Sequence, residues 1–220
     1  MRKMKENPII GKEKGKDAMK KIIFATGNEG KMREIREILK DTAYEVLSMK
    51  EAGVCVDIVE DGKSFEENAL IKARAVMEAS GEIALADDSG LEVDFLDRAP
   101  GIYSARFLGE DTPYDIKNQY ILDKLKDVPD NARSARFVCA IAAVFPGGKT
   151  ATRTAAVEGR IAHEPAGENG FGYDPIFFVP EFGCTTAELT MEQKNRISHR
   201  AKALAAIKNE VLGDGKGDCR

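Results

Sequence analysis

An apolar run that leads through a small polar turn into an amphipathic helix restricts this chain to a few fold classes. Ile22–Ala25 has the pattern of a buried strand, and residues 31–40 carry their apolar side chains on one helical face. The turn and the first helical position are Thr26, Gly27, Asn28, Glu29, Gly30 and Lys31. Small residues at a helix start let backbone N–H groups face an anion, so this turn is a candidate phosphate-binding site. Its spacing is not that of a Walker A loop, and an ordinary turn with a surface lysine is the alternative.

The rest of the chain continues the alternation of strand and helix patterns. Further strands are predicted at Tyr44–Leu47, Ile83–Ala86, Leu91–Leu96, Ala135–Phe145 and Thr150–Val157. Further helices are predicted from Ser64 onward, at Pro113–Leu125 and at Met191–Leu212. The pattern predicts one two-lobed α/β domain over residues 22–212, with a basic, flexible extension at 1–21 and a flexible tail at 213–220.

The charge of the chain is unevenly distributed. The net charge is −4, and residues 1–21 hold eight Lys or Arg residues against three acidic ones, so the body of the chain is acidic. An acidic body argues against a specific nucleic-acid partner, and no apolar stretch is long enough for a membrane span. Four Cys without paired short spacings and only two His argue against a zinc site and fit the reducing cytoplasm, where we expect the protein to act.

Two adjacent acids, Asp87 and Asp88, follow the apolar run at Ile83–Ala86. Because neighbouring acids suit strand pairing poorly, we expect them to lie where a strand ends. Carboxylates are the ligands that Mg²⁺ prefers, and a carboxylate near a metal can activate water. Glu60 and Asp61 could join the pair if both acidic segments border one cleft. A pair of solvated acidic turns is the alternative.

A glycine-rich segment at residues 170–175 carries two aromatic side chains, Phe171 and Tyr173. Such a loop can stack on a base and present backbone groups to its edge, whereas a hairpin with Phe171 in the core is the alternative. Three polar side chains near a predicted helix start are Lys194, His199 and Arg200. The His and Arg can donate to a ring oxygen or a phosphate, and a capped helix with exposed cations is the alternative.

Six sequence blocks, taken in order, resemble one known family. The blocks are Thr26–Asn28 with Lys31, Ser64–Ala69 with Lys72 and Ala73, Ala86–Leu91, Pro100–Arg106, Gly170–Pro175 and Ser198–Arg200. Over about residues 22–204 the chain is similar to the inosine triphosphate pyrophosphatases, the noncanonical purine NTP pyrophosphatases. Residues 1–21 lie outside the family pattern, and Asp97–Ala99 stands where small glycine-rich residues are usual.

The resemblance implies an elongated α/β fold with a long mixed sheet, two lobes, a nucleotide cleft between the lobes, and a homodimer. It implies hydrolysis of ITP, dITP and XTP to the monophosphate and pyrophosphate. It also implies Mg²⁺ at Glu60, Asp87 and Asp88, with Asp88 as the general base. The implied triphosphate contacts are Thr26, Gly27, Asn28, Glu29, Gly30, Lys31 and Lys72, and the implied nucleoside contacts are Ser89, Phe171, Gly172, Tyr173, Asp174, Lys194, His199 and Arg200.

Three other functions remain open at this point. A Maf-like pyrophosphatase for pyrimidine or modified nucleotides would differ in the base loop, and Phe171–Asp174 favours a purine. A nucleotide-sensing module without turnover would not need an activated water, so Asp88 and Glu60 argue against it. A polyanion-binding protein working through residues 1–21 is disfavoured by the acidic body.

Overall fold

The computed structural model describes residues 20–40, 42 and 44–211, with side chains up to residue 208. A seven-stranded sheet has the order β2-β1-β3-β4-β5-β6-β7, parallel across β2, β1 and β3 and antiparallel from β3 onward. The strands are β1 (Lys20–Phe24), β2 (Tyr44–Ser48), β3 (Ile83–Val93), β4 (Ser134–Val144), β5 (Thr150–Ile161), β6 (Phe177–Val179) and β7 (Cys184–Thr185). The predicted α/β class with a mixed sheet is confirmed. The predicted extension and tail lie outside the described residues, except that Lys20 and Lys21 open β1.

Five helices are found within the described ranges. They are α1 (Glu29–Leu39), α2 (Phe65–Ser80), α3 (Tyr114–Lys124), α4 (Met191–Ile197) and α5 (His199–Val211), with a 3₁₀ segment at Gly101–Arg106. The predicted cap of α2 is confirmed, because Ser64 Oγ accepts from the Glu67 amide at 3.2 Å. None of these helices is long and apolar enough to cross a membrane.

The prediction of one continuous last helix over residues 191–212 is wrong. Ser198 has an extended backbone (φ −51°, ψ 130°) and separates α4 from α5. Its hydroxyl accepts from the Ala201 amide at 3.3 Å, so the serine caps α5 instead of continuing α4. The break gives α5 a start of its own at His199.

The expectation that a strand ends at the acid pair is also wrong. β3 runs without interruption from Ile83 to Val93. The separate strand predicted at Leu91–Leu96 is therefore the end of β3, and it stops at Val93. Asp87 lies opposite Ile141 and Asp88 opposite Ala140 of β4. The ladder to β4 supplies backbone partners at every position, so long-range pairing outweighs the weak strand preference of aspartate.

The alternation along β3 sends the two acids to opposite faces of the sheet. One face packs on α1 and α5 through a core that includes Leu85, Ile141, Met32, Ile35, Ala203 and Leu204. The other face packs on α2 through Ala84, Ala86, Ala140, Ala69, Ala73 and Val76. Asp87 therefore points toward α1 and α5, and Asp88 points toward α2. A further core beneath α3 joins β5 and β6 and forms the second lobe.

Candidate active site

A cavity of about 560 Å³ opens where the two lobes meet. The predicted site residues that line it are Thr26, Gly27, Asn28, Lys31, Glu60, Lys72, Asp87, Asp88, Ser89, Phe171, Gly172, Tyr173, Asp174, Lys194, His199 and Arg200. Two predicted contacts do not line it. Glu29 is an exposed first residue of α1, and Gly30 lies under the Phe171 ring, where a Cβ atom would be 2.9 Å from Cδ1. Gly30 thus permits close packing of the aromatic loop on α1.

The turn before α1 has the geometry of an anion site. Thr26 Oγ1 accepts from the Asn28 amide, and Asn28 Oδ1 accepts from the Lys31 amide, both at 3.1 Å. The space next to Gly27 is open, since a Cβ atom there would meet nothing within 4 Å. The positive end of the α1 dipole and the Lys31 ammonium are on the same side of the cavity as Asp87, which Lys31 contacts at 3.0 Å.

Asp87 is the most buried acid of the site, and one of its oxygens carries all of its contacts. Lys31 Nζ lies 3.0 Å from Oδ2, the Nε and Nη2 atoms of Arg200 donate to it at 3.2 Å, and Ser89 donates at 3.1 Å. Burial opposes the charge, but the Lys31 and Arg200 cations outweigh it and hold the pKa of Asp87 well below its ordinary value. Oδ1 is buried and has no hydrogen-bond partner among the described residues.

Asp88 has a different environment on the α2 side. Lys72 Nζ lies 3.0 Å from its Oδ1, and Asn68 Nδ2 donates to its Oδ2 at 3.2 Å. Lys72 also contacts Glu60 at 2.9 Å. Burial raises the pKa of Asp88 despite the attraction of Lys72. Burial opposes the charge on Lys72, but the surrounding carboxylates raise its pKa.

The predicted Mg²⁺ ligands are not assembled into a closed site. Within the described ranges, no three His, Cys, Asp or Glu residues are grouped closely enough to hold a metal, and the Lys72 ammonium lies between Glu60 and Asp88. Two observations nevertheless fit Mg²⁺: the acids offer only oxygen atoms, and the buried Asp87 Oδ1 lacks a partner. Because Mg²⁺ commonly uses one or two carboxylates together with substrate phosphates and water, a partial protein site suits it.

Sequence reasoning missed Glu34, which holds the cations of the site together. This buried residue of α1 pairs with Arg200 Nη1 and contacts Lys194 at 3.0 Å. Glu34 lies three residues after Lys31, so both occupy one face of α1, and that spacing is the signal that could have identified it. Its partner Arg200 is 166 residues away, and no local pattern links the two.

The aromatic loop is fixed by Asp174. The Phe171 amide donates to Asp174 Oδ2 at 2.8 Å, and Lys194 contacts the same oxygen at 2.8 Å. Gly170 has φ +81°, and a Cβ atom there would lie 2.2 Å from this oxygen, so only glycine fits. Phe171 lines the cavity with Lys194 Nζ 4.9 Å from its ring centroid, and it is not in the core.

His199 and Arg200 begin α5 and carry different charges. The His199 ring stacks on Phe137 with centroids 5.1 Å apart. Burial and the nearby cations hold the pKa of His199 well below 6.5, so the imidazole is neutral. Arg200 has five N–H donors, and four of them are directed to Asp87, Glu34 and Ser89. The fifth Arg200 donor and the His199 imidazole make no hydrogen bond among those found in the described residues.

Further residues that line the cavity or support it were not predicted as site residues. They include Asn68, Ser104, Glu110 and Tyr114. Asn68 had a signal, because it lies four residues before Lys72 and so shares its face of α2. Ser104 lies in the Pro100–Arg106 block of the family resemblance, whereas no comparable signal marks Glu110 or Tyr114.

Comparisons with known proteins identify the family of the chain. The profile of the Ham1 family matches residues 22–210. Proteins named dITP/XTP pyrophosphatase from Desulforamulus reducens and Bacillus subtilis are 51% and 50% identical, over 84% and 86% of this chain and 92% and 96% of theirs. The solved structure of a HAM1 protein from Coxiella burnetii is 40% identical, with a TM-score of 0.80 over 89% of this chain and 100% of that one.

These matches confirm the family resemblance drawn from the six sequence blocks, and with it the prediction that the chain is an enzyme. They cover both lobes and every residue of the site described above. The chain belongs to the Ham1 family.

Proposed function

We propose that this enzyme hydrolyses noncanonical purine nucleoside triphosphates, namely ITP, dITP and XTP, to the monophosphate and pyrophosphate with Mg²⁺. The names of the relatives support dITP and XTP as substrates. Its role is then to clear deaminated purines from the nucleotide pool. We propose on the resemblance alone that it works as a homodimer in the cytoplasm.

The observation that carries the proposal is the position of Asp87 between two predicted subsites. One oxygen of this buried acid is shared by Lys31 of the phosphate turn and Arg200 of the nucleoside-contact block. A single cavity therefore presents cations for a triphosphate, carboxylates for a metal and a water, and donors for a base. A binding module would have no use for the carboxylates beside the phosphate cradle.

Asp88 suits the role of general base. Burial raises its pKa, and a more basic carboxylate accepts a proton from water more readily. In the proposed step Asp88 takes a proton from the water that attacks the α-phosphorus, the α–β anhydride bond breaks, and pyrophosphate leaves. Lys31, Lys72 and the amides of the turn bind the phosphate oxygens. Mg²⁺, when bound, would neutralise charge on the polyphosphate.

Base choice is proposed to depend on the 6-position of the purine. The donors left on Arg200 and neutral His199 can bond to a 6-oxo group. Opposite the 6-amino group of adenine these buried donors would stay unpaired, and a buried unpaired donor costs about 1–3 kcal/mol. Phe171 supplies a surface on which the base can stack.

A triphosphate panel tests the proposal. The purified protein is incubated with Mg²⁺ and dITP, dATP, dGTP or dCTP, and each reaction is scored for monophosphate, pyrophosphate and orthophosphate. We expect monophosphate and pyrophosphate, with dITP turned over fastest. Release of orthophosphate in steps would show attack at the β- or γ-phosphorus, and preferential turnover of dCTP would favour a pyrimidine enzyme.

A substitution at Asp88 tests the assigned base. Asp88→Asn keeps the shape of the side chain, and we expect kcat for dITP to fall about a hundredfold or more, the scale of a lost general base. Asp123→Asn is the matched control, because the exposed carboxylate of this α3 residue bonds only to Gln119 among the contacts described. Near-normal turnover by Asp88→Asn would remove the residue from the mechanism.

A further inference from the structure

Helix α3 contributes Tyr114 to the cavity, and the face of the helix that carries Tyr114 contacts two walls of the cavity. Tyr114, Lys117 and Asn118 share that face because they are three and four residues apart. Tyr114 lines the cavity, whereas Lys117 and Asn118 are buried behind it. The contacts of these three side chains extend to segments that are far away along the chain.

The first wall is the 3₁₀ segment. Lys117 Nζ donates to the carbonyl of Ala105 at 2.6 Å, and Tyr173 Oη donates to the carbonyl of Ser104 at 2.8 Å. Ser104 and Ala105 both line the cavity. The Lys117 ammonium also lies 4.8 Å from the Tyr114 ring centroid. This wall is therefore joined to α3 and to the aromatic loop.

The second wall is the aromatic loop. Tyr114 packs edge-to-face on Tyr173 with centroids 5.2 Å apart. Asn118 Nδ2 donates to the carbonyl of Gly172 at 3.1 Å, across 54 residues. Gly172 has φ +68° and no side chain to hold its peptide group, so this bond fixes the carbonyl between Phe171 and Tyr173.

Asn118 is a poor choice for fold stability alone. The residue is 6% exposed, and its Oδ1 atom is buried without a partner among the described residues. An apolar side chain of similar size would avoid that unpaired acceptor. What asparagine supplies, and leucine does not, is the hydrogen bond to the Gly172 carbonyl.

We infer that Asn118 is a positioning residue, which holds the Gly172 carbonyl and thereby places the Phe171 ring against the nucleoside in the cavity. Asp88 lies on β3, and its neighbour Lys72 lies on α2. Among the hydrogen bonds described, Asn118 makes none to either element. Loss of the bond should therefore weaken substrate binding more than it slows the chemical step. Only this kinetic consequence rests on the proposed function.

The test compares Asn118→Leu and Asn118→Ala with Gln119→Leu, a matched control at an exposed neighbouring position of α3. Amide hydrogen exchange is measured on peptides within residues 167–176 of the free protein, and the melting temperature and the kinetics of dITP hydrolysis are measured in parallel. We expect faster exchange in this loop for both Asn118 variants, because the Phe171 and Asp174 amides form hydrogen bonds within the turn whose Gly172 carbonyl is released. We also expect KM for dITP to rise about tenfold, the effect of one lost hydrogen bond, with kcat changed less than about threefold.

The melting temperature distinguishes a positioning role of Asn118 from a purely structural one. Asn118→Leu removes one unpaired acceptor, Asn118 Oδ1, and frees another, the Gly172 carbonyl, so its melting temperature should stay close to that of the wild type. Unchanged loop exchange and KM in both variants would overturn the inference, and so would faster exchange throughout the protein with kcat and KM both impaired. If the wild type does not hydrolyse dITP, the proposed function fails, while faster exchange confined to the loop would still support the anchoring by Asn118.

Discussion

Neutralising the two adjacent acids of β3 should have different consequences, because the acids point to opposite faces of the sheet. Asp87→Asn and Asp88→Asn make the same chemical change one residue apart. The folded state favours the charged form of Asp87, whose pKa is lowered, and disfavours the charged form of Asp88, whose pKa is raised. Asp87→Asn should therefore lose stability, and Asp88→Asn should lose activity with little loss of stability.

The contacts of each acid determine how much unfolding free energy its substitution should cost. The Asp87 side chain is 0% exposed and contacts Lys31 and Arg200, so its pairs are not screened by solvent. Removing one partner of a buried pair costs about 3–5 kcal/mol, and we expect about 3 kcal/mol because Glu34 remains on Arg200. At Asp88 the loss should be about 1 kcal/mol or less, the value of one mismatched hydrogen bond.

Urea titration at pH 7 with a chelator measures both variants without any contribution from metal binding. At an m-value of about 2 kcal/mol/M, a difference of about 2 kcal/mol in unfolding free energy separates the midpoints by about 1 M. The wild type and Asp123→Asn should have the same urea midpoint, and it should be higher than the midpoints of Asp87→Asn and Asp88→Asn. Equal losses in the two variants, or a larger loss in Asp88→Asn, would refute the assignment of the acids to different environments.

Two further predictions concern groups away from the acid pair. Burial and nearby cations hold the pKa of His199 well below 6.5, so the unfolded chain binds a proton that the folded chain does not as pH falls below about 6.5. Stability should then fall by up to about 1.4 kcal/mol per pH unit, and urea titrations of His199→Phe should lack this dependence. Arg133 is 1% exposed and donates to the carbonyls of Leu125, Val128, Ile161 and Ala162. Lysine cannot reach four acceptors with three donors, so Arg133→Lys should lower the unfolding free energy by about 3 kcal/mol, and a midpoint like that of the wild type would contradict this account.

Local sequence patterns were sufficient where a structure depends on neighbouring residues. The strand-turn-helix unit at residues 22–39 and the cap of α2 at Ser64 both follow from residue order. The residues around the turn and the aromatic loop were also identified, because glycine and small polar side chains mark them. The role of these residues in binding a nucleotide stays a prediction.

Patterns failed where a partner distant in the chain decides the structure. The acid pair was expected at a strand end, since no nearby residue indicates that β4 will pair with it. Glu34 and Asn118 were missed for the same reason, because their partners lie 166 and 54 residues away. Such contacts are set by the sheet order and by the docking of α3 and α5.

The alternation of β3 explains how one short motif can serve two purposes. Side chains at successive strand positions point to opposite faces, so Asp87 and Asp88 have different neighbours although both line the cavity. Asp87 meets the cations of α1 and α5 and becomes part of a buried charge network. Asp88 meets α2, where burial makes it more basic. A helix would separate neighbouring acids by only about 100° around its axis, which is less than the separation that a strand gives. In a strand, one acid can therefore stabilise a buried charge network while its neighbour is basic enough to accept a proton.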